Sequence, residues 1–275
     1  MRQLFLLPLL VFSGYFLSGQ ETETIKNASR GTKFVNGQSV NLAENGEMLL
    51  LIQHRFGDIT GGLYELFGLD QASMRLGFEY GLGKNINLGI GRSTFMKTYD
   101  AFGKLKLATQ SVQFPLSLVL TAGGSIPTLR NFFPEKNDSF SDKFSGNAQV
   151  NIAWSNSRFG IQVSPGYLKT GYLPVLAKSL SMVTTGVGVS VKLSKKASAN
   201  LEYLYHFNPD LKNNKPLSLG FDVDTGGHLF QLIVSNSQRM FEQGIYTDIS
   251  GDWLKGKLFF GFNLVRSFNL RYQYE

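Results

Sequence analysis

The stretch "SMRLGFEYGL", residues 73–82, alternates at every position between apolar side chains and polar or very small ones. Its apolar members are Met74, Leu76, Phe78, Tyr80 and Leu82, and the residues between them are Ser73, Arg75, Gly77, Glu79 and Gly81. A period of two residues places alternate side chains on opposite faces of a β-strand. The stretch therefore predicts a strand with one apolar face and one polar face that carries charge.

The same alternation recurs along the chain. It is regular at 148–154, 159–163, 183–193, 201–207, 217–223 and 258–264, and less regular at 47–56, 86–95, 101–109, 115–124 and 227–236. Long and short connections alternate between these segments, and each odd-numbered connection is expected to exceed its even-numbered neighbours, as in outer-membrane barrels. We therefore predict an all-β fold, a transmembrane up-and-down antiparallel β-barrel of about 12 strands (range about 10–14), over residues 46–275.

The N-terminus has the features of an export signal. Arg2 precedes the apolar run "LFLLPLLVFSGYF", which is followed by small residues and then by the polar "ETETIK". The apolar core is too short for a membrane-spanning helix, which needs about 20 residues. We expect residues 1–20 to be a signal peptide and the protein to reach the outer membrane of a Gram-negative bacterium. Residues 21–45 are expected to form a polar leader or a small plug, and "TKFVNGQSVNLA" within them leaves a thirteenth strand open.

Composition excludes several classes of function. The chain of 275 residues carries a net charge of +7, and its basic residues are spread along the sequence rather than gathered into a tract. We therefore expect no nucleic-acid partner. The chain contains no cysteine, which removes disulfides, thiol catalysis and thiolate metal sites.

A wide barrel turns polar side chains inward and apolar side chains toward lipid. The alternation places eight charged side chains on the inner face as candidate lumen-lining groups: Arg55, Arg75, Glu79, Lys104, Lys106, Glu202, Asp222 and Asp224. They could select solutes electrostatically as these pass through the lumen. Alternatively, they could pair across the lumen and close it.

Motifs of catalysis and cofactor binding fit the sequence poorly. Five residues separate Gly77 from Gly83-Lys84, and Asn85 follows, so neither the spacing nor the hydroxyl of a phosphate-binding loop is present. Arg92, close by, falls on the outward face, where it either snorkels to headgroup level or marks a bulge.

The three histidines and the acidic residues offer no better site. His54, His206 and His228 are expected at the barrel rims, and His228 is about 23 Å along one strand from Ser235. Asp138 and Asp142 lack the glycine and the closing glutamate of a calcium loop. We therefore expect no catalytic residue, cofactor or metal.

The outer loop "FGDITGGLYELFGLD", residues 56–70, is unusually apolar for a segment in water. Its candidate contact residues are Tyr64, Leu66, Phe67 and Leu69. The loop could fold into the barrel mouth as a constriction, contact a partner, or rest on the membrane surface.

Four short pieces occur in a specific order: "HRFGD", "LFGLD", "GIGRS" and "KTYD", followed later by "GGHLFQLIVSNSQ" and "GKLFFGFNLVRSF". With these pieces, nearly the whole mature chain resembles the β-barrel proteins of domain-of-unknown-function family 5777, which occur mainly in Bacteroidetes. The resemblance implies an outer-membrane-type barrel and brings no activity, substrate or catalytic residue.

Three functions remain open at this point. The first is a narrow channel or transport barrel for small hydrophilic solutes. The second is a non-conducting surface or scaffold barrel that binds a partner through its outer loops, and the third is a barrel enzyme acting on envelope lipid. Outer-membrane lipid is an expected partner in each case, and the sequence identifies no protein partner.

Overall fold

The computed structural model describes residues 29–130, 139–173, 176–211 and 215–270. The expected signal peptide and Asp138 lie outside these residues. The wall is built from β1 (Glu47–Asp58), β2 (Ala72–Leu82), β3 (Ile86–Ser93), β4 (Tyr99–Ala108), β5 (Ser117–Ile126), β6 (Ser145–Ser155), β7 (Phe159–Val163), β8 (Gly166–Lys169), β9 (Ser181–Lys192), β10 (Ala197–Phe207), β11 (Leu217–Asp224), β12 (His228–Ser235) and β13 (Phe259–Asn269). Two short helices, α1 (Phe140–Lys143) and α2 (Glu242–Thr247), and two 3-10 segments, Ile59–Gly68 and Phe95–Lys97, lie in the connections.

The strands close into an antiparallel barrel, because β1 pairs with β2 on one side and with β13 on the other. Strands β7 and β8 both pair with β6 and β9, so they are the two halves of one interrupted wall strand. The interruption falls at Pro165, which has no N–H to donate, although its carbonyl still accepts from Val150 at 3.0 Å. The described residues thus form twelve wall strands, which confirms the predicted topology.

The wall is apolar outside and polar inside. Strand β2 shows this most plainly, since its burial alternates without exception and its apolar members face outward. The buried side chains are largely amides, hydroxyls and charged groups, in contrast to the interior of a soluble domain. Among the described residues, no helix is long and apolar enough to cross a membrane.

The two ends of the barrel differ. One end, called the loop end here, carries the long connections 59–71, 127–144, 170–180 and 236–258, and the other, the turn end, carries short turns such as 83–85 and 225–227 and the start of β1. The expected length alternation has one exception, because the connection 94–98 at the loop end is shorter than 109–116 at the turn end. In place of a longer loop, 94–98 forms a compact 3-10 turn closed by the Thr98 amide donating to the Phe95 carbonyl at 3.0 Å.

Residues 30–43 lie inside the barrel and are called the lumen hairpin. Lys33 pairs with Gln38, and the Ser39 amide donates to the Thr32 carbonyl at 3.0 Å. Every residue from 31 to 40 is buried. The segment left open as a thirteenth strand therefore pairs with itself in the lumen and takes no place in the wall.

Candidate functional site in the barrel lumen

The tip of the lumen hairpin is held by a carboxylate from the wall. The backbone amides of Asn36 and Gly37 donate to the Glu202 carboxylate of β10, at 2.7 Å and 3.1 Å respectively. Arg55 Nη2 of β1 donates to Asn36 Oδ1 at 2.9 Å. Hydrogen bonds to ionised groups are the stronger class. Glu202 and Arg55, two of the predicted lumen-lining residues, thus both bind the turn at the tip of the hairpin.

The arms of the hairpin are held by side chains that bond to its backbone. Lys104 Nζ of β4 donates to the carbonyls of Thr32 at 2.6 Å, Asn41 at 3.1 Å and Ser39 at 3.3 Å. Gln162 of the β7 segment donates to the Gln38 carbonyl at 2.8 Å and accepts from the Val40 amide at 3.0 Å. The hairpin therefore meets its polar partners on the wall, as a buried backbone requires.

Glycines in the wall make room for the apolar residues of the hairpin. A Cβ added to Gly188 of β9 would lie 2.6 Å from the ring of Phe34, and one added to Gly220 of β11 would lie 3.0 Å from Cγ2 of Val35. Real Cβ atoms do not approach other atoms as closely as 2.6 Å. At these strand glycines the hairpin side chains pack directly against the wall backbone.

The connection 236–258, called the mouth loop, folds into the barrel from the loop end. Its residues Phe241, Ile245 and Tyr246 are buried. Glu242 of α2 reaches Lys33 of the lumen hairpin, with Oε1 3.9 Å from Nζ. Burial raises the pKa of Glu242, an effect that the charge of Lys33 opposes. The two inserted segments therefore meet in the lumen at Glu242 and Lys33, two buried ionisable groups.

The wall beside this contact carries a paired cluster of charges. Arg75 of β2 bonds to Asp100 of β4, with Nη2 2.6 Å from Oδ2. Glu79 accepts from Thr32 Oγ1 of the hairpin at 3.0 Å and from Asn87 Nδ2 at 2.8 Å. The charged groups here contact each other or the hairpin.

The remaining predicted lumen charges lie nearer the turn end. Asp222 of β11 is buried, and Ser198 Oγ lies 3.5 Å from its carboxylate. Asp224 is about half exposed, and its carboxylate lies 3.6 Å from Nη1 of Arg30 at the start of the hairpin. Lys106 is partly buried on the inner side of β4. The structure thus gathers Arg55, Arg75, Glu79, Lys104 and Glu202 around the hairpin and places the other three toward the turn end, where Asp224 contacts Arg30.

Cavities flank the hairpin at both ends of the barrel. A cavity of about 530 Å³ at the loop end, called the mouth cup, lies between the mouth loop and neighbouring connections. A second cavity of about 320 Å³ lies at the turn end beside Arg30, Glu47 and Asp224. Cavities along the hairpin between them measure about 10–20 Å³, which is room for about one water each. In this conformation the lumen is filled.

The apolar outer loop, residues 56–70, does not fold into the barrel mouth as a constriction, which was one of the three arrangements considered for it. Tyr64 is 93% exposed, and Leu66, Phe67 and Leu69 are each about half exposed. Residues 59–68 pack beside β1 and β13 instead, where the Ile59 amide donates to the Leu258 carbonyl at 3.0 Å. The mouth loop occupies the space that this loop was expected to fill, so the constriction interpretation is wrong.

The histidines lie in three separate places. His54 faces outward and stacks on Phe262 with ring centroids 5.3 Å apart, whereas His206 faces inward with Nε2 2.8 Å from Lys215 Nζ. His228 lies at the turn end beside Arg266. Within the described ranges, no three His, Cys, Asp or Glu side chains are grouped as metal ligands.

Arg92 points outward at the loop end, and its guanidinium lies 5.6 Å from the centroid of the Tyr99 ring. The pairing of β3 with β2 and with β4 runs without a shift of register through this residue. Of the two arrangements left open by the sequence, the structure has the outward arginine and no bulge. A cation over an aromatic face is stabilised there by about 0.5–1 kcal/mol.

Sequence reasoning missed how both inserted segments are placed, although each carries a signal. Asn36-Gly37 is a dipeptide favoured in tight hairpins, and the apolar Phe34 and Val35 precede it. In the mouth loop, Phe241 and Ile245 are four residues apart, as on one face of a helix. A helical period inside a long barrel connection indicates a loop with its own buried face.

Comparisons with known proteins agree with this architecture. A family model described as a membrane-bound beta barrel domain (DUF5777) matches residues 30–268. The structure is similar to that of the NanC porin, with a TM-score of 0.51, 8% identity, and coverage of 80% of this chain and 98% of that one. An active-site mutant of outer membrane phospholipase A from Escherichia coli gives a TM-score of 0.44 at 10% identity, covering 84% and 92%. No curated protein matches the sequence.

Proposed function

We propose that this chain, which belongs to the family of membrane-bound beta barrel domains (DUF5777), is a transport barrel of the Gram-negative outer membrane that is closed at rest. The lumen hairpin and the mouth loop close it. The loop end faces the outside and the turn end faces the periplasm, the arrangement usual for such barrels. Export depends on residues 1–20.

The nature of the contacts between hairpin and wall carries the proposal. The hairpin backbone donates hydrogen bonds to Glu202 and accepts them from Lys104 and Gln162, and its buried apolar side chains join three small clusters with wall residues. Water can replace such bonds one at a time, so each contributes only about 0.5–1.5 kcal/mol net, or about 1.5–3 kcal/mol where a charge is involved. The small apolar clusters add about 25 cal/mol for each Å² of apolar surface that they bury. Polar contacts of this kind suit a hairpin that leaves the lumen and returns to it.

The class of solute is inferred from the side chains that would line the lumen once the hairpin has left it. Its exposed groups would include both signs of charge and many amides and hydroxyls, a surface that favours small hydrophilic solutes. Lys104 and Lys106 lie on β4, whereas Asp222 lies on β11. Solutes passing between them would be selected by charge.

An engineered disulfide tests the mobility of the hairpin. The chain has no cysteine, and Asn36 Nδ2 lies 2.7 Å from Ser218 Oγ, so the double variant Asn36→Cys/Ser218→Cys introduces the pair without competition. We expect oxidation to abolish solute uptake into proteoliposomes and a reductant to restore it, while Ser218→Cys alone responds to neither. Uptake that is equal in the oxidised and reduced protein would overturn the moving hairpin.

Conductance in planar bilayers tests the channel itself. The intact protein should stay mostly closed, and a variant lacking residues 30–41 should show steady openings because its lumen is no longer filled. A folded hairpin-less barrel without openings would overturn the transport function. Correct folding of that variant is checked separately, by its resistance to denaturation in detergent before heating.

The second candidate function is a non-conducting barrel that binds a partner through its outer loops. The exposed Leu63, Tyr64 and Leu254 on two adjacent loops favour it, since large apolar side chains in water are typical of contact surfaces. The third function, a lipid-modifying enzyme, has no specific observation in its favour.

A further inference from the structure

The mouth cup is a concave apolar site that the transport function does not require. Its walls come from several connections at the loop end and include Phe95, Met96, Leu173, Leu211, Phe241 and Ile249. A volume of about 530 Å³ falls within the range of about 300–1,000 Å³ that is usual for pockets binding small molecules. An apolar lining with a few polar groups is also typical of such pockets.

Two of the charged groups at the cup are already paired. Asp248 Oδ2 lies 2.7 Å from Nε of Arg239, and Asp210 Oδ2 lies 2.8 Å from Nζ of Lys178. The Arg239 guanidinium also stacks 3.3 Å from the centroid of the Phe95 ring. Arg239 and Lys178 are thus engaged with these carboxylates, and Lys143, which also lines the cup, has an interaction of its own. An anion entering the cup would lose its hydration and gain few new favourable charge contacts in return.

Uncharged polar groups lie among the apolar walls. The lining includes Thr98, Ser145, Gln243 and Thr247. Thr247 Oγ1 donates to the Gln243 carbonyl at 2.8 Å, and Ser145 Oγ accepts from the Gly171 amide at 2.8 Å. A hydroxyl retains further capacity to donate or accept after one such bond. A ligand could therefore place one neutral polar group here while its apolar body fills the cup.

We propose that the mouth cup binds a neutral, mainly apolar small molecule that carries a hydroxyl or amide group. The site lies outside the lumen and is separated from it by the mouth loop. It is therefore a different site from the path proposed for hydrophilic solutes. The cup is formed in the closed barrel, so its occupancy can be measured separately from conductance.

Protection of an engineered cysteine tests the proposal directly. The single variant Thr247→Cys places the only thiol of the chain in the cup, and Thr60→Cys places one on the exposed outer loop as a control. The labelling rate with a small thiol reagent is measured on the full chain in bilayers, with 1-decanol or with decanoate as the probe. These two probes share a chain length and differ in the charge of the head group.

We expect 1-decanol to slow the labelling of Thr247→Cys about tenfold at a concentration about ten times its Kd. The rate at Thr60→Cys should stay unchanged, and decanoate should protect much less. The additional substitution Leu173→Trp, which fills the cup, should remove the protection, and Ile249→Trp serves the same purpose if the first variant does not fold. No protection by 1-decanol, equal protection of both cysteines, or stronger protection by decanoate would each overturn the proposal. Solute uptake and conductance are separate measurements, so failure here is distinguishable from failure of the transport function.

Discussion

Phe34 of the lumen hairpin packs directly against Gly188 of the wall. Gly188→Ala puts a methyl group where the Phe34 ring now lies, at 2.6 Å, and overpacking of this kind typically costs about 1–3 kcal/mol. We expect Gly188→Ala to lower the free energy of unfolding by that amount and to raise the open probability in bilayers. The matched control is Gly103→Ala, another strand glycine, whose added Cβ would meet Leu88 at an ordinary 3.5 Å.

Adding Phe34→Ala to Gly188→Ala removes the ring that the methyl group meets. The double variant should therefore be less destabilised than the sum of the two single variants, because the steric conflict is absent. Strictly additive effects on the urea-unfolding free energy would show that the two residues are not in contact.

Glu202 provides the second prediction. It accepts hydrogen bonds from two amides at the hairpin tip, and Glu202→Ala leaves both donors buried without that partner. An unsatisfied buried group costs about 1–3 kcal/mol, so we expect a loss of about 2–6 kcal/mol in unfolding free energy. Glu202→Gln keeps one acceptor oxygen and should lose less. Asp70→Asn, at an exposed carboxylate of the outer loop, should change stability by less than about 0.5 kcal/mol.

At the scale of elements, the mouth loop and the lumen hairpin are joined at Glu242 and Lys33, and the joint depends on pH. Burial raises the pKa of Glu242, and Arg75, Asp100 and Lys104 also face this carboxyl. A raised pKa in the docked state favours the protonated form. Docking is therefore strongest at low pH and weakens as the pH rises from the ordinary glutamate value of about 4.3 through the raised value.

Trp253 in the mouth loop can report this change. Its Nε1 donates to the Leu217 carbonyl at 2.8 Å, and the chain has one other tryptophan, Trp154. In Trp154→Phe, we expect the emission of Trp253 to shift to longer wavelength as the pH rises, and Glu242→Gln to flatten the titration. An identical shift with Glu242→Gln in place would show that another group controls docking.

The sequence alone predicted the strands of the wall, but it did not predict where the lumen hairpin and the mouth loop lie. Wall strands such as β2 repeat a period of two residues over their full length, so burial side and register follow from the pattern. The lumen hairpin is short, and Phe34 and Val35 are both buried because partners surround it on every side. Its position depends on side chains more than 160 residues away, such as Glu202. A local pattern cannot encode such partners.

At the scale of the whole molecule, several charged residues predicted for the inner face make specific contacts with the lumen hairpin. The alternation placed Arg55 and Glu202 on the inner face, and the structure brings both to Asn36. Which charges pair could not be read from the strands alone, since pairing depends on the chain that fills the lumen. The resemblance to domain-of-unknown-function family 5777 is confirmed by the family match over residues 30–268.

Ion selectivity of the hairpin-less barrel gives the fourth prediction. Removing positive charge by Lys106→Ala should shift the reversal potential toward cation preference, and Asp222→Ala should shift it toward anion preference. One unit charge at about 4 Å in water is worth about 1 kcal/mol, so permeability ratios should change up to about fivefold. Unchanged selectivity in both variants would contradict their placement along the conducting path.

The position of the lumen hairpin in the chain constrains how the barrel assembles. The hairpin immediately precedes β1, and it bonds to residues as distant as Asn263, whose Nδ2 donates to the Val35 carbonyl across 228 positions of sequence. Closure of β1 on β13 seals the wall around it. Contacts of such long range slow folding, because the chain between them must be ordered first. A hairpin that precedes every wall strand is available throughout this search, so it can act as a template on which the wall strands gather and which the finished barrel encloses.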